Sequence, residues 1–66
     1  MKIKLNGLEK EFQPNLNLKE IIAEFSKTRL KIIAEVNGQI IRSHQWEQIR
    51  LKDGDLVELV SFVGGG

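Results

Sequence analysis

Residues 56–63 constrain this chain more than any other stretch. At the two-residue period of a strand, they place Val57, Leu59 and Val63 on one face and Leu56, Val60 and Phe62 on the other. A strand apolar on both sides belongs in the centre of a sheet whose faces are covered. The whole chain has 66 residues. A chain of that length buries only about 60% of the surface exposed by its unfolded form, so it supports one domain with a thin core.

The segments before this strand supply its neighbours. Ile3 and Leu5 alternate with Lys2 and Lys4, and Asn6-Gly7 then marks a tight hairpin turn, because both central residues of such a turn need positive φ. A two-residue turn sets Leu5 opposite Leu8, Lys4 opposite Glu9 and Lys2 opposite Glu11. Each of the two opposite-charge pairs adds ~0.2–1 kcal/mol. Lys10 then falls on the core face beside Ile3, where it must snorkel from an edge strand or be turned outward by a bulge. Pro14 ends the second strand. Asn17 and Glu20 have capping-box spacing, and Leu18, Ile21, Ile22 and Phe25 form one helical stripe. The predicted helix stops near Lys27 or Thr28, with Lys27 and Arg29 suited to its negative end.

Residues 30–36 read as a strand with Ile32, Ala34 and Val36 on one face. Asn37-Gly38 is a second turn, and Gln39 to Ile41 a short returning strand. Ser43 is positioned to cap a single helical turn holding Trp46, itself a core or edge plug, and Asp53-Gly54-Asp55 is a turn. The order β-β-α-β-β with a central last strand describes an α+β fold of the β-grasp type. It is a mixed sheet of four to five strands with one main helix. A single helix covers a single face. The other face, around Val60 and Phe62, is left exposed or covered by loops, and an exposed contiguous apolar patch marks a partner surface.

Little side-chain chemistry is available. With no cysteine, disulfides, thiolate metal sites and thiol catalysis are excluded. His44 is the only imidazole. Beside Ser43 it lacks an orienting acid, and adjacent residues seldom face each other, so a catalytic pair is not expected there. One histidine without cysteines makes zinc improbable, and Asp53 and Asp55 lack the remaining ligands of a calcium loop. No metal site is expected. Ten basic against nine acidic residues leave a net charge of +1, which gives no electrostatic case for nucleic acid or a membrane surface. No apolar run approaches the ~18 residues of a spanning helix, and Met1-Lys2-Ile3-Lys4 is not followed by the apolar stretch of a signal peptide. These features lead to the expectation of a cytoplasmic, monomeric module that does not act alone.

Gly64, Gly65 and Gly66 follow the last strand without a spacer. The domain is therefore expected over residues 1–63, with a flexible tail over residues 64–66. Without Cβ atoms the backbone can enter a channel too narrow for other residues. Three extended residues reach at most ~10 Å, enough to carry one carboxyl group into another protein's active site. A carboxylate is no electrophile until its oxygen becomes a leaving group, as in an acyl-adenylate. The glycines do not form a phosphate loop, which needs a helix N-terminus after it.

Together, the residues Val36-Asn37-Gly38-Gln39-Ile40-Ile41, Trp46, Leu51, Asp53-Gly54-Asp55, Val57-Glu58-Leu59-Val60 and the glycine run resemble the ThiS family. These are ubiquitin-like sulfur carriers of thiamine biosynthesis. The resemblance spans essentially the whole chain. Gln39 and Arg42 depart from it, standing where family members often have Glu and Pro. The resemblance implies that an E1-like adenylating enzyme of the ThiF type consumes ATP to adenylate Gly66. A cysteine desulfurase then supplies sulfur, and the resulting thiocarboxylate donates it to a thiazole synthase of the ThiG type. It implies no bound cofactor, and a co-substrate rather than an enzyme. Val60, Phe62 and Val63 are the expected apolar docking surface at the base of the tail. Sulfur delivery to molybdopterin or to tRNA remains open at this point. So does a ubiquitin-like interaction module with an inert tail.

Overall fold

The computed structural model describes residues 1–26 and 31–62. Two antiparallel strands, β1 (Lys2–Leu5) and β2 (Leu8–Glu11), open the chain, followed by the helix α1 (Leu18–Phe25). The second pair is β3 (Lys31–Val36) and β4 (Gln39–Ile41); a 3₁₀ helix (Ser43–Gln48) and β5 (Leu56–Phe62) complete the order. The strands form one five-stranded sheet in the order β2-β1-β5-β3-β4. β5 is therefore central, parallel to β1 and antiparallel to β3.

Local sequence accounts for both hairpins. Asn6 and Gly7 adopt φ of 50° and 83°, Asn37 and Gly38 of 51° and 86°, the doubly positive pattern that matches strand twist. The first hairpin has the expected register, with Lys2 opposite Glu11, Lys4 opposite Glu9 and Leu5 opposite Leu8. Lys10 pairs with Ile3 in an unbroken ladder. No bulge turns it outward. It stays exposed because β2 is an edge strand, exposed along its whole length.

The capping box closes as predicted. Asn17 Oδ1 accepts from the Glu20 amide at 2.9 Å, and Glu20 Oε1 accepts from the Asn17 amide at 3.1 Å. Two details differ from expectation. The helix ends at Phe25, not near residue 27 or 28, because Ser26 has already turned extended (φ −121°, ψ 110°) while its amide still donates to the Ile22 carbonyl. Lys27, Thr28, Arg29 and Leu30 lie outside the described residues. Secondly, Ser43 is the first residue of a six-residue 3₁₀ helix, and Arg42 takes the cap position expected for it.

The core lies between the helix and one face of the sheet. Ile3, Leu5, Ala34, Val57 and Leu59 from the strands meet Leu18, Ile21 and Ile22 from α1, with Leu51 closing the end. Phe25, the last of the predicted stripe, is 41% exposed, beyond the part of the helix that rests on the sheet. Trp46 is half-buried against this core and donates its Nε1–H to the Ile41 carbonyl at 3.0 Å, as an edge plug. No helix among the described residues is long and apolar enough to cross a membrane.

Candidate functional site

β5 is the element that leads to the glycine run, and its two faces have different surroundings. Val57 and Leu59 are 0% and 4% exposed under the helix. Leu56, Val60 and Phe62 on the other face are 51%, 52% and 46% exposed. The strand is central, as its composition requires, but one of its apolar faces is left uncovered. Of the expected docking residues, Val60 and Phe62 sit together on this open face. Val63, Gly64, Gly65 and Gly66 lie outside the described residues.

Neighbouring strands extend the patch. Ile33 of β3 stands opposite Val60, and Lys31 opposite Phe62. Glu35 stands opposite Glu58, and on its other side opposite Ile40 of β4. Lys4 of β1 lies beside Leu56. Ile33 and Ile40 are exposed on this face. Neither was among the expected docking residues. The alternation in β3, with Ile32, Ala34 and Val36 inward, was the signal that pointed Ile33 outward, but its position beside Val60 depends on strand register.

The turn asparagines clamp the strand that carries this face. Asn6 accepts the Leu59 amide on Oδ1 at 2.7 Å and donates Nδ2 to the Leu59 carbonyl at 3.2 Å, while its own amide donates to the Val57 carbonyl. The side chain thus continues the β1–β5 ladder after β1 has ended. Asn37 does similar work on the opposite edge, accepting the Leu56 amide on Oδ1 at 2.9 Å and donating Nδ2 to Asp55 at 3.1 Å. Asn6→Gly keeps the positive φ and removes only the side-chain pair. Net hydrogen-bond contributions of about 0.5–1.5 kcal/mol each set the expected loss at about 1–3 kcal/mol, measured by urea denaturation.

The other polar candidates take structural roles. Asp55 is buried, and its second carboxylate oxygen accepts the Lys52 amide at 2.9 Å. Asp53 accepts the Lys2 amide at 2.7 Å. Both carboxylates fasten the turn before β5 to its neighbours, in agreement with the turn reading. Ser43 and His44 are exposed in the 3₁₀ helix, and no hydrogen bond joins their side chains among the described residues.

Comparison with known proteins agrees with this architecture. A crystal structure of the thiamine biosynthesis protein ThiS from Geobacter metallireducens superposes with a TM-score of 0.81 at 28% identity, covering 100% of both chains. The sulfur carrier protein ThiS of Bacillus subtilis is 29% identical over 97% of this chain and 98% of its own length. A thiazole synthase of Paramagnetospirillum magneticum is 32% identical over 100% of this chain, which spans only 20% of that protein. The ThiS family model matches residues 3–66. Because that match runs from the first strand through the glycine run, on a fold shared with a solved ThiS, the chain belongs to the ThiS family.

Proposed function

We propose that this chain is a sulfur carrier of thiamine biosynthesis and that it bears sulfur on the C-terminal carboxyl group of Gly66. The observation that carries this reading is the family match extending through Gly64, Gly65 and Gly66, directly after a central strand with one open apolar face. An adenylating partner of the ThiF type consumes ATP and joins AMP to the Gly66 carboxylate, releasing pyrophosphate. A persulfide that carries sulfur from a cysteine desulfurase displaces AMP at the carbonyl carbon. A second thiol of the partner enzymes cleaves the resulting acyl disulfide, so that the thiocarboxylate is released and a disulfide is left on the partners.

The chain supplies reach and a slim profile, and the partner supplies the catalytic groups. It is a co-substrate acting in the cytoplasm, where ATP is available. Val60, Phe62 and Val63 form the docking surface at the base of the tail. A thiazole synthase of the ThiG type receives the sulfur. The full-length likeness of this chain to one fifth of a thiazole synthase supports that partnership.

Intact-mass spectrometry tests the reading. After incubation with the adenylating enzyme, ATP and the desulfurase with cysteine, the chain is expected to gain the mass of one oxygen-to-sulfur exchange. A chain of unchanged mass in a mixture that converts a known ThiS counts against it.

A further inference from the structure

The centre of the open sheet face breaks a pairing rule that the rest of the sheet follows. Across β1 and β2, lysines stand opposite glutamates. Across β3 and β5, Glu35 stands directly opposite Glu58. Like charges in that arrangement destabilise a sheet. The ion pairs among the described residues are Met1–Glu11, Lys2–Glu9 and Lys19–Glu47, and none reaches either carboxylate. Apolar side chains border the pair along β3, β4 and β5, while Lys4 stands beside Leu56 on the β1 side. Ile33 and Val60 form the adjoining row, Leu56 lies on the opposite side, and Ile40 flanks Glu35.

We propose that this face recognises a protein partner by one arginine side chain, whose guanidinium seats between Glu35 and Glu58 along this apolar border. Directly opposed residues hold their Cβ atoms about 4.5–5.5 Å apart, so one planar group with five donors can serve both carboxylates. Their burial beneath apolar partner groups strengthens the charge-assisted bonds. A second copy of this chain is a poor occupant. Stacking the same face on itself with the two pairs in register sets carboxylates against carboxylates, which disfavours that self-association while leaving the patch open to a cationic partner. The assignment rests on the sulfur-carrier reading for the choice of partner, the adenylating enzyme. It adds the group on that enzyme that distinguishes its docking face.

Calorimetric titration of the full chain into the cognate adenylating enzyme, at low and moderate salt, tests it. Glu35→Gln and Glu58→Gln are each expected to weaken binding at least 10-fold. The double variant is expected to lose most of the salt dependence while unfolding at an equal or higher urea midpoint, since a repulsion has been removed. Higher stability with lower affinity separates recognition from a structural role. Wild-type affinity and salt dependence in the double variant overturn the proposal and leave the sulfur-carrier reading intact. Wild-type chain that binds in a glutamate-dependent way yet is never adenylated overturns the carrier reading and upholds the recognition face. Failure of the wild-type chain to bind overturns both.

Discussion

Removing Gly66 is expected to abolish adenylation while leaving the fold unchanged. Deletion of one extended residue withdraws the terminal carboxylate by about 3.3–3.6 Å. Reacting atoms in a productive complex lie about 3–3.5 Å apart, and a displacement of ~1 Å already costs about 10²-fold. The shortened chain should therefore release pyrophosphate from ATP at least ~10²-fold more slowly in the presence of the adenylating enzyme. Its circular dichroism and urea midpoint should match the parent, because the core is built from residues between Ile3 and Leu59. Gly66→Ala restores the length but adds a Cβ where the proposed channel admits none, and its rate should also fall. A shortened chain that is adenylated at the parental rate would place the chemistry on another group.

Ile21→Ala is expected to have the opposite character, destroying stability without touching the tail. Ile21 is 0% exposed, on the helix face that meets Ile3, Leu5, Ala34, Val57 and Leu59. Replacing a fully buried isoleucine by alanine costs about 2–5 kcal/mol, the transfer term plus the cavity left behind. A domain of this length has roughly 3–10 kcal/mol in total, at ~0.05–0.15 kcal/mol per residue. The substitution thus consumes a large part of the margin. The urea midpoint should fall by half or more with little change in slope. Val60→Ala is the internal control. It removes two methyl groups' worth of side chain from the 52% exposed face, and surface changes of that kind usually stay within ±0.5 kcal/mol. Equal losses for Ile21→Ala and Val60→Ala would mean that the open face is covered in solution.

The different fates of these two positions show which parts of the molecule were readable in advance. The hairpin register followed from Asn6-Gly7 and the Lys–Glu alternation, both local signals, and it agrees pair for pair. The helix cap followed from Asn17 and Glu20 in the same way. The helix end carries no comparable local signal, since residues 26–28 contain no glycine or proline, and the backbone already turns extended at Ser26. Of the candidate site, Val60 and Phe62 were recognisable from the two-faced strand. Ile33, Ile40, Glu35 and Glu58 were not, because their relation to Val60 depends on which strands flank β5 and in what register.

The sequence by itself determined that residues 56–62 form a central strand, that two Asn-Gly turns set the hairpins, and that no thiol or paired histidines exist for chemistry. Those properties rest on short-range sterics and on composition. The two-faced strand also pointed to the face around Val60 and Phe62 as the one the helix leaves, and only the tertiary structure decided that it stays exposed instead of being covered by loops. A single eight-residue helix cannot cover two faces of a five-stranded sheet, and Val57 and Leu59, not Leu56 and Val60, lie beneath it. The same long-range pairing set Glu35 against Glu58 on the uncovered face, a juxtaposition of residues far apart in the chain that no local pattern encodes.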